Sequence, residues 1–126
     1  ALSKGSEEIL LACSIMPHCI IEHASSISSE PLLKAVYQGA LDSGLFDSND
    51  IKVRSTRFEQ YQSGTERFKF VHVVMKILDG RNLEQKSSLS SLVLSELLKL
   101  PIENASFTVE VVDIERASYA KEVRRS

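Results

Sequence analysis

The 126-residue chain carries 15 Lys and Arg against 17 Asp and Glu, for a formal net charge of −2, with 43% hydrophobic residues. That length and apolar content suit one soluble domain with a buried core, and the charge balance leaves no basic footprint for nucleic acid. No run approaches the roughly 18 apolar residues of a membrane span, and Cys13 and Cys19 are too few for a disulfide framework.

The first stretch, Ala1–Met16, includes ILLAC just before Ser14. Its apolar run is shorter than the roughly 7–15 residues of a signal sequence, and two glutamates precede it. It reads as a leader, either a cloning remnant or an upstream-start extension, with Met16 as the second chain start. Residues 17–126 then form the folded domain, and a cytoplasmic location is expected.

His18–His23 (HCIIEH) reads as a short strand opened by Pro17, whose missing N–H costs nothing at that position. Ser29, Glu30 and Pro31 mark a helix start: a capping serine, an acid in the first turn and an early proline. Leu33, Val36, Tyr37, Ala40 and Leu41 recur at helical spacing, and Gly44 is placed to stop the helix. Ile51–Tyr61 reads as a second strand.

Arg67–Leu78 (RFKFVHVVMKIL) is the strongest strand pattern, followed by the turn dipeptide Asp79-Gly80. Asn82–Leu100 carries Leu89, Leu92, Val93, Leu97 and Leu100 at helical spacing, and Pro101 ends it. Ser106–Glu115 alternates as a final strand. The tail Lys121–Arg125 (KEVRR) is locally basic and reads as a solvated terminus.

Two βαβ units imply parallel pairing within each half. The expected fold is α+β, built of α/β-type βαβ repeats: one four-stranded mixed sheet with two helices on one face. The third strand is apolar on both faces, with Phe68, Phe70 and Val74 on one and Val71, Val73, Met75 and Ile77 on the other. An apolar sheet face without a helix over it asks for a partner, so a cyclic homo-oligomer is expected.

His18, His23 and His72 show no HxxxH or CxxC spacing, so no metal site is expected, and neither a P-loop nor GxGxxG occurs. Three segments do carry a resemblance. Pro17-His18 with IIEHASSI at Ile20–Ile27, VRS at Val53–Ser55 and FVHVVMKILDGRNLE at Phe70–Glu84 resemble the 5-carboxymethyl-2-hydroxymuconate isomerase family. That family belongs to the tautomerase superfamily, with 4-oxalocrotonate tautomerase and macrophage migration inhibitory factor, and the likeness runs from Pro17 to about Glu115.

The resemblance implies a homotrimer, no metal, no organic cofactor, and an amino-terminal proline as catalytic base. Carried across, Pro17 takes the base position, while Arg54 and Arg81 take the substrate-binding positions, with Arg57 a nearby rival to Arg54. The substrate is implied to be a small-molecule carboxylate from aromatic-acid (homoprotocatechuate) catabolism. Neither nucleic acid nor membrane is implied as a partner.

The chemistry makes sense of those residue types. Ketonising a 2-hydroxymuconate moves a proton from the 2-hydroxyl to carbon 5, which needs one group that takes and returns it. An α-amine titrates near 8 and proline's secondary amine starts higher; burial and nearby guanidinium charges both lower it toward working pH. Arginine adds a planar fork for carboxylates, which lysine lacks. His18 and His72 read as structural, Glu22 as an orienting or interface residue, and Phe68 and Phe70 as core or interface. Two alternatives stand beside this reading: a superfamily enzyme of different substrate, such as a phenylpyruvate-type tautomerase or a decarboxylase, and a non-catalytic trimeric binding protein whose proline nitrogen is blocked by Met16.

Overall fold

The computed structural model describes residues 17–125. Ala1–Met16, the stretch read as a leader, lies with Cys13 outside the described residues. The chain runs β1 (His18–Ala24), α1 (Ser29–Asp42), a 3-10 turn (Ser48–Asp50), β2 (Lys52–Phe58), β3 (Lys69–Leu78), α2 (Leu83–Leu98), β4 (Ala105–Ile114) and a second 3-10 turn (Arg116–Ser118). The strands form one mixed sheet in the order β2-β1-β3-β4. β1 and β2 are parallel, β3 and β4 are parallel, and the two halves meet antiparallel along β1 and β3.

Strand alternation decides which side chains meet the helices. Cys19 and Ile21 of β1 and Val71, Val73, Met75 and Ile77 of β3 are buried. They join Leu32, Ala35, Val36 and Ala40 of α1 and Leu89, Val93 and Leu97 of α2 in a single core. Each such Leu, Ile or Val stabilises the fold by about 1.5–3 kcal/mol relative to exposure. Both helices therefore lie on one face, as the two-unit pattern requires.

The helix ends differ in instructive ways. α2 opens with a complete capping box: the Asn82 side chain accepts from the Gln85 backbone N–H, and the Gln85 side chain accepts from that of Asn82. In α1 the capping position falls on Ser28 rather than Ser29, and no side chain caps it. The Ser29 hydroxyl is engaged elsewhere, 3.0 Å from Nε2 of the buried His23, whose Nδ1 donates to the Ala24 carbonyl. At the other end Gly44 adopts φ +72 and its N–H reaches the Leu41 carbonyl, so glycine stops the helix where expected.

The helices pack closely because α1 carries Gly39. A Cβ there would lie 2.6 Å from Val93 Cα and 2.9 Å from Val93 N. The second sheet face is more polar than the third strand alone suggests. Half-buried Ile20, Phe70 and Val74 alternate with Glu22, Lys52, Arg54, His72, Lys76 and Glu110. No helix among the described residues covers it. Among the described residues, no helix is long and apolar enough to cross a membrane.

Candidate active site

Pro17 sits immediately before β1, and its side chain is fully buried. Its carbonyl accepts from the Lys52 N–H (3.2 Å), which continues the β1–β2 ladder to the end of the sheet. In the antiparallel register His18 faces Lys76, so the chain leaves β3 through Asp79-Gly80-Arg81 at this same end. Proline suits the place, because it opens a strand without forfeiting a ladder bond.

His18 and Arg54 share the open sheet face. His18 pairs with Lys52 and Ile20 with Arg54 across β1 and β2. The Arg54 guanidinium lies 3.1 Å from His18 Nδ1. Guanidinium only donates, so Nδ1 is the acceptor and the ring proton resides on Nε2. That nitrogen lies 3.3 Å from the Tyr119 hydroxyl, which accepts the bond. Burial, followed by the positive charges of Arg54, Lys52, Lys121 and Lys76, lowers the His18 pKa and holds the ring neutral. Arg54 spends one N–H on His18 and retains others for a carboxylate.

Arg81 is held on the helix side. It donates to the Leu45 carbonyl (3.0 Å), and its guanidinium lies 5.9 Å from the centre of the Phe46 ring. A cleft of ≈ 240 Å³ opens beside it, lined by Ser43, Leu45, Asn82, Glu84, Gln85 and Ser88. The turn before it is clamped by Arg116, which reaches Asp79 through its backbone N–H (3.3 Å), its Nε (3.3 Å) and its Nη2, the last to the carbonyl (2.7 Å). Gly80 adopts φ +110 between them, a conformation that favours glycine.

Of the sequence-derived candidates, Pro17, Arg54 and Arg81 come to one end of the sheet, with Arg54 on the open face and Arg81 on the helix face. Arg57 lies toward the other end of β2, opposite His23, and donates to the Ser25 carbonyl (2.6 Å). His72 bonds Thr108 and Glu110, both at 2.6 Å, across β3 and β4. Phe70 packs edge-on to Tyr61 (5.1 Å) and near Phe58 (6.2 Å), whereas Phe68 is 42% exposed. Cys19 lies in the core, its thiol pushed up to about 12 by burial against the opposing pull of Arg54. Among the described residues, no three His, Cys, Asp or Glu converge as a metal site would require.

Arg116 and Tyr119 were missed in the sequence. The strand pattern ends at Glu115, and nothing in RASYAKEVRR marks a returning segment. Tyr119 meets a residue 101 positions earlier in the chain, a contact that only the fold creates.

A family model described as 5-carboxymethyl-2-hydroxymuconate isomerase matches residues 17–121. No curated protein sequence matches the chain. Among solved structures, a 5-carboxymethyl-2-hydroxymuconate isomerase from Deinococcus radiodurans R1 is 21% identical, with TM-score 0.74 over 90% of this chain and 94% of that one. A fused 4-OT described as a symmetric trimer is 16% identical, with TM-score 0.70 over 83% of this chain and 93% of its own. A macrophage migration inhibitory factor-like protein from Entamoeba histolytica is 14% identical, with TM-score 0.65 over 84% and 95%. At these identities the structural likenesses establish a shared fold.

Proposed function

The chain belongs to the 5-carboxymethyl-2-hydroxymuconate isomerase family of the tautomerase superfamily, and on that premise we propose that it ketonises 5-carboxymethyl-2-hydroxymuconate or a close dienol relative. The observation that carries this reading is the coincidence of two boundaries. The family match begins at residue 17, and Pro17 is the residue the fold buries at the head of β1. The pathway assigned is aromatic-acid catabolism, in the cytoplasm.

In the reaction the O–H bond at carbon 2 breaks and a carbonyl forms there. The two conjugated double bonds shift to one between carbons 3 and 4, and a new C–H bond forms at carbon 5. The free secondary amine of Pro17 takes the proton and returns it. Arg54 and Arg81 hold carboxylates by paired N–H bonds and stabilise the dienolate oxygen. Their charges, with the burial of Pro17, also lower the amine pKa toward working pH. Neither a metal nor an organic cofactor takes part.

This mechanism requires a free nitrogen. With Met16 attached, that nitrogen is an amide without a basic lone pair, so the active form on this reading is the chain that begins at Pro17. The oligomer assigned is a homotrimer, supported by the trimeric 4-OT of the same fold and by the open sheet face. The same Met16–Pro17 bond favours the second reading, a non-catalytic trimer, in any chain that retains the leader.

Comparing chains that begin at Pro17 and at Ala1, with dienol absorbance followed in time, tests the proposal. The shorter chain should turn over 2-hydroxymuconates and the longer should not; equal turnover would sink the amine-base mechanism. In the shorter chain Pro17→Ala should lose about 10²-fold or more in kcat, and Arg81→Ala should raise KM for diacids. Absence of turnover by every form moves the protein to the binding-module reading.

A further inference from the structure

The segment after β4 turns back over the Pro17 end of the sheet and touches the supports of both candidate arginines. Tyr119 accepts from His18 Nε2–H, and His18 in turn accepts from Arg54. Arg116, three residues earlier, binds the Asp79 carboxylate and carbonyl, at the root of the turn that presents Arg81. The 3-10 turn Arg116–Ser118 fixes the spacing between these two anchors, with the Tyr119 N–H bonded to the Arg116 carbonyl (3.3 Å).

We propose that Arg116 and Tyr119 are positioning residues: the segment is a strap that sets each of Arg54 and Arg81, at the Pro17 end of the sheet, for carboxylate binding. The inference rests on the tautomerase reading only in what the two arginines are for.

The physical argument is one of preorganisation. A free arginine side chain carries about 2 kcal/mol of rotamer entropy, and binding a carboxylate through a loose one sacrifices that freedom at the moment of binding. Arg54 projects from β2, an edge strand. The neutral His18 ring restrains it, and that ring needs its Nε2 proton bonded to keep Nδ1 turned toward the guanidinium. Tyr119 is the group that holds it. On the other face, Gly80 gives the turn latitude, and the three contacts from Arg116 to Asp79 remove it. A Cβ at Gly80 would itself approach Arg116 Nη2 to 3.5 Å, so the clamp and the turn are in contact. One short segment therefore couples two arginines that lie on opposite faces of the sheet.

The test uses the 126-residue chain and cis,cis-muconate, a diacid that lacks the 2-hydroxyl and cannot ketonise. Titration calorimetry compares Tyr119→Phe with and without Arg54→Ala, and Arg116→Gln with and without Arg81→Ala. Each strap substitution should weaken muconate about fivefold, which corresponds to about 1 kcal/mol. That loss should vanish once the matching arginine is gone. Nitrogen-15 spectra supply a readout that a merely structural role would not move. At neutral pH His18 should carry its proton on Nε2, and Tyr119→Phe should shift that resonance while Arg116→Gln leaves it unchanged. Unchanged affinity, an equal loss in both backgrounds, no muconate binding by the unsubstituted chain, or a proton on Nδ1 each overturns the strap. Failure of the Pro17-initiated chain to turn over dienols, with these cycles intact, overturns the catalytic reading alone.

Discussion

His18 shows how a single side chain changes meaning once its neighbours are known. On the strand pattern it is a half-buried polar residue next to Pro17. In the fold it sits among Arg54, Lys52, Lys76 and Lys121, with burial as the leading cause of its lowered pKa. The unfolded chain therefore takes up this proton first as pH falls. Between the ordinary imidazole value of about 6.5 and the lower folded value, the His18 contribution to stability is progressively lost; above about 6.5 it is fully present. Urea unfolding at pH 7.5 and at pH 5.5 should show a smaller acid-induced loss for His18→Asn than for the parent chain. An identical loss in both chains would remove His18 from the acid sensitivity. His23 illustrates the same gap: the pattern places it on a strand, but the Ser29 hydroxyl that it holds was read as a helix cap.

At the scale of elements, most of the architecture was legible. The apolar stripes, the Asp79-Gly80 turn and the stop at Gly44 all describe local geometry, which local sequence controls. The bounds moved by a few residues where side chains compete for the backbone. β2 ends at Phe58 rather than Tyr61, and β3 begins at Lys69 because Arg67 adopts φ +52. The α1 stripe also turned, so that Leu32 and Ala35 are buried while Leu33, Tyr37 and Leu41 flank the core. Gly39 was not legible, since its reason is the backbone of a different helix. Gly39→Ala should gain about 1 kcal/mol of helix propensity yet lose more to the clash with Val93, for a net cost of about 1–2 kcal/mol. A thermal melt should fall by several degrees. An unchanged or raised Tm would mean that α1 and α2 separate without penalty.

For the whole molecule, the open sheet face and the edge strands β2 and β4 are the surfaces on which the proposed trimer would draw. An unpaired edge presents backbone N–H and C=O groups to any matching strand, and half-buried Ile20, Phe70 and Val74 add apolar surface beside them. The trimer assigned above should sediment at three times the 14.0 kDa chain mass, and a monomer at micromolar concentration would overturn it. The sequence by itself determined the two βαβ units, the common face of the helices and the chemical types at Pro17, Arg54 and Arg81. Those follow from periodicity, turn chemistry and a family motif, all of which act over short separations along the chain. Only the tertiary structure decided that Arg57 serves the Ser25 carbonyl, that His18 is a neutral link, and that a tail with no pattern of its own reaches both arginine supports. Such contacts join residues far apart in the chain, and their energy exists only after the sheet has closed the distance.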